Sequence, residues 1–372
     1  MSILAASGDI GGAMAIIPVL KYLSDCNEPF AIVEHGFLAS KAPKTWKRVP
    51  AVLEGSGSLE RFFKDDCFKE VVFTTSVKDT FPLKLARTAA RQGVPVLCLL
   101  DNWMNYIYRL GIDGEPAFIP TVYMVMDDLA KAEAIREGVP ESVLRVVGQP
   151  ALGSLADDYQ SWKKQDRAKY FESAGLDITK KLVVFISEPV SDDQGSGPEN
   201  TQYRGYTEKT VLKELCARFQ PFADKYQLWL VPHPRQDVDG LHKVWEQSRG
   251  VLEGGIFKVK NGRQAIFMAD GVAGMVSILL YEAWLMNKPV ISLQPGLCRP
   301  QLDIFRKRNG IFCVTKASEW DIVMTAWVCK IDKSSKFDSF RKDIELHIQA
   351  PYRAGKIIID YLNNKRIKRR AL

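Results

Sequence analysis

A histidine stands between two prolines in "LWLVPHPRQD", just past the end of an apolar run. Proline on each side fixes the backbone and leaves the His233 imidazole little freedom, which is how a group that contacts a ligand is held. In "CLLDNWMNYIYRL" Asp101 closes another apolar run, where it can cap a following helix or act as a carboxylate base or substrate ligand. Ser187 and Glu188 end the run in "FISEPVSDDQGSG" and lead into a long polar, glycine-bearing loop of the kind used for lids and binding sites.

Two glycine-bearing turns add to this set. In "SGDIGGA", Gly11 and Gly12 lie between a strand and a helix start, which fits either a tight turn or the close approach of a nucleotide to backbone N–H groups. The turn is not GxGxxG, and no GxxxxGK[ST] occurs, so the dinucleotide and Walker signatures are both missing. In "DGVAGMVSILLYEAWLMNKPVISLQPG", small residues lead through Gly274 and Met275 to Ser277 at the start of an apolar helix. Free N–H groups and a positive dipole end favour a phosphate there. Glu282 is the one acid in "SILLYEAWLM". A buried acid needs a partner, and beside a nucleotide it can take both hydroxyls of a ribose.

The elements that position these residues follow from alternation. Short β-branched runs ("SILAAS", "FAIVEH", "EVVFTT", "PVLCLL", "TVYMVM", "LRVVG") alternate with helical stretches, and the same grammar restarts at "KLVVFIS". Runs that are apolar almost throughout belong to parallel strands covered on both faces. The expected architecture is α/β: two Rossmann-like, doubly wound domains facing a central cleft, over residues 1–153 and 154–325. Residues 326–372 are expected to form C-terminal helices that brace the first domain, ending in a basic tail. Ligands of such sheets bind outside the carboxyl ends of the strands, where nearly all the residues named above fall.

Composition narrows the class. With 372 residues, 46% hydrophobic and 26% charged, there is chain for two cores and no low-complexity tract. No run approaches the ~18–20 apolar residues of a membrane span, and the first residues lack the basic and long apolar regions of a secretory signal, so the expected location is cytoplasmic. Seven scattered cysteines without a CxxC pair read as reduced thiols, mostly in the core, and four histidines without HxH or HxxxH spacing predict no metal site. Of the formal charge of +7, five positive charges lie at Lys365, Arg366, Lys368, Arg369 and Arg370. Such a cluster is a solvated tail or a contact with an anionic membrane surface, which would make the protein peripheral at the inner face. No nucleic-acid module accompanies it, so nucleic acid is not an expected partner.

The segment "ADGVAGMVSILLYEAWLMNKPVISLQPG", the "VVGQPALGSL" crossing and the terminal helices resemble the type-B glycosyltransferase superfamily, which also holds the UDP-N-acetylglucosamine 2-epimerases. The HP dipeptide with a downstream serine segment is similar to bacterial sialyl-, Kdo- and glycerophosphate transferases. The resemblance implies a metal-independent glycosyltransferase of surface polysaccharide or glycoconjugate synthesis. Its donor is a CMP- or UDP-linked sugar bound as substrate with no further cofactor, and its acceptor is a glycan or glycolipid. Carried over, His233 and Ser277 would contact the donor phosphate, with Glu282 nearer the ribose; the residues themselves point to Asp101 as the carboxylate that would deprotonate the acceptor. The alternatives are a nucleotide-sugar epimerase or hydrolase, or a non-catalytic binding protein on the same scaffold.

Overall fold

The computed structural model describes residues 2–51, 59–60, 63, 68–76, 79–111, 116–163, 171–259, 261–334 and 339–370. The chain divides into two compact units, residues 1–154 with 343–372, and residues 155–342.

The first unit is built on a parallel sheet of β1 (Ser2–Ala6), β2 (Phe30–Glu34), β3 (Arg48–Pro50), β4 (Phe68–Thr74), β5 (Val96–Leu99), β6 (Val122–Val125) and β7 (Leu144–Val146), in the order β3-β2-β1-β4-β5-β6-β7. Its central strands are buried on both faces, Ile3 to Ala6 and Val96 to Leu99 without exception. That explains why they read as continuous apolar runs instead of alternating ones. The sequence expectation missed β3, a three-residue edge strand ending in proline. The long C-terminal helix Ala350–Arg370 sets Ala354, Ile358 and Leu362, one turn apart each, into this core beside Ala15, Ile16 and Val19 of the helix Ile10–Asp25. Pro351 sits in its first turn, where a missing N–H costs nothing. The side chains of the basic cluster from Lys365 onward lie outside the described residues.

The second unit carries β8 (Lys181–Ile186), β9 (Tyr226–Val231), β10 (Gly254–Ile256), β11 (Gly271–Gly274), β12 (Val290–Leu293) and β13 (Ile311–Val314), all parallel, in the order β10-β9-β8-β11-β12-β13. It runs to residue 342, not 325, because the helix Trp320–Lys333 packs Trp320, Met324, Trp327, Val328 and Ile331 into the same core as Val183, Phe185 and Ile291. In each sheet the winding direction reverses once, between β1 and β4 and between β8 and β11.

Cys98 and Cys216 are buried, as expected of core thiols, but Cys26, Cys298 and Cys329 are exposed; Cys67 lies outside the described residues. Among the described residues no helix is long and apolar enough to cross a membrane, and no group of three or more His, Cys, Asp or Glu could hold a metal ion.

Candidate functional site

The reversal between β8 and β11 is where an open α/β sheet leaves a crevice at its carboxyl edge. A cavity of about 260 Å3 lies at this edge of the second unit, and Ser187, His233, Lys258, Asn261 and Ser277 supply its polar lining. Three residues expected to act together, Ser187, His233 and Ser277, are therefore brought to one cavity.

The loop fixes the orientation of His233. Its Nδ1 accepts the amide N–H of Arg235 at 3.2 Å, so the proton of the neutral ring is on Nε2. Burial and the neighbouring Arg235 both lower its pKa, and the ring presents an N–H while uncharged. Gln236 holds the turn from the other side: its Oε1 accepts the His233 amide at 3.2 Å and its Nε2 donates to Ser187 Oγ at 2.8 Å. Arg235 itself is turned aside into a two-pronged ion pair with Asp193, at 3.1 and 2.8 Å. Ser191 is bound through its amide and hydroxyl to the buried Glu208, at 2.9 and 2.6 Å. The loop after β8 is thus tied down on both sides, in contrast to the lid suggested by its composition.

Glu188 departs from expectation. Its carboxylate accepts the amide N–H of Val276 at 2.8 Å and draws that of Ser277 as well, at the start of the helix Ile278–Leu285. Burial raises its pKa, opposed by Arg204 and these two amides. A side-chain carboxylate of the protein already holds N–H groups that the sequence assigned to a donor phosphate. Ser277 Oγ accepts the Leu279 amide at 3.3 Å and caps its own helix. A Cβ on Gly274 would come within 2.7 Å of Leu280 Cδ1 and 2.9 Å of the Ile186 carbonyl, so this glycine serves packing. Met275 is buried and its carbonyl accepts Ser292 Oγ at 2.6 Å.

The partner of Glu282 is a protein group. Arg263 donates through Nε and Nη2 to its two oxygens at 3.0 and 3.1 Å, and also pairs with Asp158. Burial raises the Glu282 pKa and Arg263 pulls it down. The acid is 4% exposed and does not line the cavity, so its place in the helix is explained by a buried ion pair and not by an open ribose site.

Gly11, Gly12 and Asp101 belong to the first unit. The amide of Gly12 donates to Asp9 Oδ1 at 2.9 Å, and a Cβ on Gly12 would strike Thr74 Oγ1 and Ser7 Oγ, so it is a packing glycine in a capped turn. A Cβ on Gly11 would meet Asp101 Oδ2 at 2.5 Å. No α-helix starts at Asp101; its Oδ1 accepts Arg109 Nη1 at 2.8 Å, with each side chain 8% exposed. Burial pushes its carboxyl up to about 6 against the pull of Arg109. It is an internal ion pair rather than an open base.

Gln236, Lys258 and Asn261 went unread in the sequence. Lys258 and Asn261 follow β10, whose edge loop was within reach of the same carboxyl-end rule.

No family model matches the chain, and no curated protein does. Among solved structures, it is similar to the UDP-GlcNAc 2-epimerase of Neisseria meningitidis bound to UDP-GlcNAc, with a TM-score of 0.64 at 13% identity over 98% of this chain and 100% of that one. The UDP-GlcNAc 2-epimerase of Methanocaldococcus jannaschii gives 0.64 at 14% identity, again over 98% and 100%. The wall teichoic acid polymerase TagF, soaked with CDPG, gives 0.55 at 12% identity over 98% and 89%. At such identities the likeness establishes the fold alone: the chain has a two-sheet parallel α/β fold of the GT-B type, as these structures do.

Proposed function

We propose that the protein is a nucleotide-sugar enzyme, and specifically a glycosyltransferase that passes the sugar of a nucleotide-linked donor to a hydroxyl of a glycan or glycolipid acceptor. The observation that carries this reading is His233, an uncharged imidazole held so that Nε2–H is offered beside Lys258 and Ser277 at the carboxyl edge of the second sheet. An N–H donor and a cation at one edge suit a phosphate whose charge grows as the sugar departs. The fold is shared with proteins whose structures hold UDP-GlcNAc and CDPG, which supports a nucleotide-linked donor. In this proposal Ser187, Ser277 and Lys258 hold the donor, and Glu282 acts through Arg263 to keep the cavity wall in place, a role that replaces the ribose contact.

Melting-temperature shifts with UDP, CMP, CDP and GDP, each against His233→Ala, test the binding half. A nucleotide that stabilises the protein and loses that effect in the variant supports it, and no shift with any of them sinks it. Because two of the similar structures are epimerases, donor incubated without acceptor separates the second reading: an epimerised product at full rate makes the protein an epimerase.

A further inference from the structure

We infer that the second unit carries a further ligand site, a cavity of about 870 Å3 at the β10 edge of its sheet, and that this site binds a sugar ring bearing an acidic group. Trp229 of β9 lines it, with Ile256, Lys258 and Val259 in and after β10, and Ser173 and Ala174 ahead of β8. The smaller cavity that holds His233 and Ser277 shares only Lys258 and Val259 with it. The site therefore stands apart from the transferase reading and does not depend on it.

The indole is fixed at its polar edge. Its Nε1 donates to Gln227 Oε1 at 2.9 Å, and the buried Gln227 is itself held by the Asp177 amide at 3.1 Å and the Asp177 carbonyl at 2.6 Å. Trp229 is the one residue of β9 that is not fully buried. What leaves it open is its neighbour in the sheet. Trp229 pairs in register with Gly255, and among the described residues β10 ends the sheet, so no strand beyond it covers the ring. The two glycines of β10 have different causes. A Cβ on Gly254, at φ +148°, would strike the Leu228 carbonyl, so the backbone demands glycine there. A Cβ on Gly255 would meet only Trp229 Cζ3, at 3.7 Å, an ordinary contact. Packing does not exclude a side chain at 255, and strands favour one. A mere packing gap would be closed by a β-branched residue at this position, whereas glycine keeps the indole uncovered.

The lining sets the chemistry of the ligand. One fixed aromatic face with polar groups at its rim takes a ring that is apolar on a face and polar at its edge, and a pyranose has that form. Ile256 and Val259 extend the apolar surface, and Ser173 brings a hydroxyl. Lys258 supplies the charge. It is exposed, and among the described residues its ammonium makes no hydrogen bond or ion pair. A carboxylate on the sugar therefore gains a charge-assisted partner without breaking a pair already made.

The experiment titrates tetragalacturonate and N-acetylneuraminic acid, each beside its uncharged methyl ester, into the full chain by calorimetry. Since Lys258 also borders the smaller cavity, these titrations are made without nucleotide. At least one acid should bind, and its ester should bind roughly tenfold less tightly, one good contact being lost. Gly255→Ile, which covers the indole, and Trp229→Leu, which removes it, should each weaken binding of the acid by roughly tenfold or more, with melting temperatures showing that both remain folded. Lys258→Gln, at an exposed position where the fold is not at stake, should bring the acid down to the affinity of its ester. Failure of both acids to bind wild type overturns the site, as does binding that survives unchanged in Gly255→Ile, Trp229→Leu or Lys258→Gln. An ester that binds as tightly as its acid overturns the acidic class. UMP or CMP that binds wild type and loses affinity in both Gly255→Ile and Trp229→Leu gives the cavity to the nucleotide and overturns the sugar.

Discussion

His233 and His35 both follow a strand at the carboxyl edge of a parallel sheet, and in both the neutral ring carries its proton on Nε2. They differ in which nitrogen the protein has already used. At 233 the Arg235 amide takes the lone pair of Nδ1, so an N–H faces outward. At 35 the Asp79 carboxylate takes the N–H, so a lone pair is left. The same tautomer presents an N–H in one unit and leaves a ring lone pair in the other. Residue type therefore says little about a histidine's role until its first partner is known.

Two of the acids singled out in the sequence form the opposite kind of pair. Asp101 and Glu282 are each closed by an arginine, and neither is left to act alone. Breaking such a pair from one side gives the largest expected effect. Arg263→Ala leaves the Glu282 carboxylate buried without its countercharge and should cost ~3–5 kcal/mol of unfolding free energy, read from urea denaturation. A cost under ~1 kcal/mol would show that Glu282 does not depend on Arg263.

The next effect sharpens the contrast between the histidines. His233→Ala should lower transfer kcat by ~10²–10³-fold, whereas His233→Gln, whose amide can present an N–H near the position of Nε2, should stay within roughly tenfold of wild type. Equal losses for glutamine and alanine at 233 in steady-state assays would show that the outward N–H is not what the reaction uses.

Much of this was legible in the sequence, and the limits have a physical cause. Continuous apolar runs predicted the central strands because burial on both faces removes the need for alternation. The edge strand β3, short and ending in Pro50, carried no such run. Applying the carboxyl-edge rule to His233, Ser187 and Ser277 found one cavity, because that rule depends only on local order along the chain. Side-chain partners do not. Arg263 lies 19 residues from Glu282, Glu188 lies 88 from Val276, and Asp79 lies 44 from His35. A lone acid in an apolar helix announces that a partner exists without saying whether it is a ribose or a guanidinium. His35 was passed over in "HGF" because nothing near it in sequence shows the carboxylate that orients it.

A third test concerns pH. Asp101 has a folded pKa raised to about 6, so its protonated form is favoured by the fold. In the window between its ordinary value of 3.8 and about 6 the folded state binds more protons than the unfolded one, and the stability Asp101 contributes is lost as pH rises. Glu188 and Glu282, raised by burial as well, share this sign. Subtracting the stability of Asp101→Asn from that of wild type at each pH isolates Asp101. The difference should fall from pH 4 to pH 6, and a flat difference would mean that Arg109 holds the acid at its ordinary value.

The smallest expected effect tests Glu188, whose carboxylate binds the amides of Val276 and Ser277 at the start of the helix Ile278–Leu285, next to the Ser277 that lines the proposed cavity. Glu188→Gln keeps an oxygen that can accept the Val276 amide, so the turn should hold, but it removes a negative charge that opposes the incoming anion. Nucleoside diphosphate should bind roughly fivefold more tightly, about 1 kcal/mol, as expected for one charge at short range in a partly screened site. The uncharged nucleoside has no such repulsion to lose, so its Kd should not change. Isothermal titration of both ligands against both proteins separates the outcomes. If the variant binds nucleoside and diphosphate equally less well, Glu188 is needed to shape the cavity. In that case its charge is not what stands between this helix start and a phosphate.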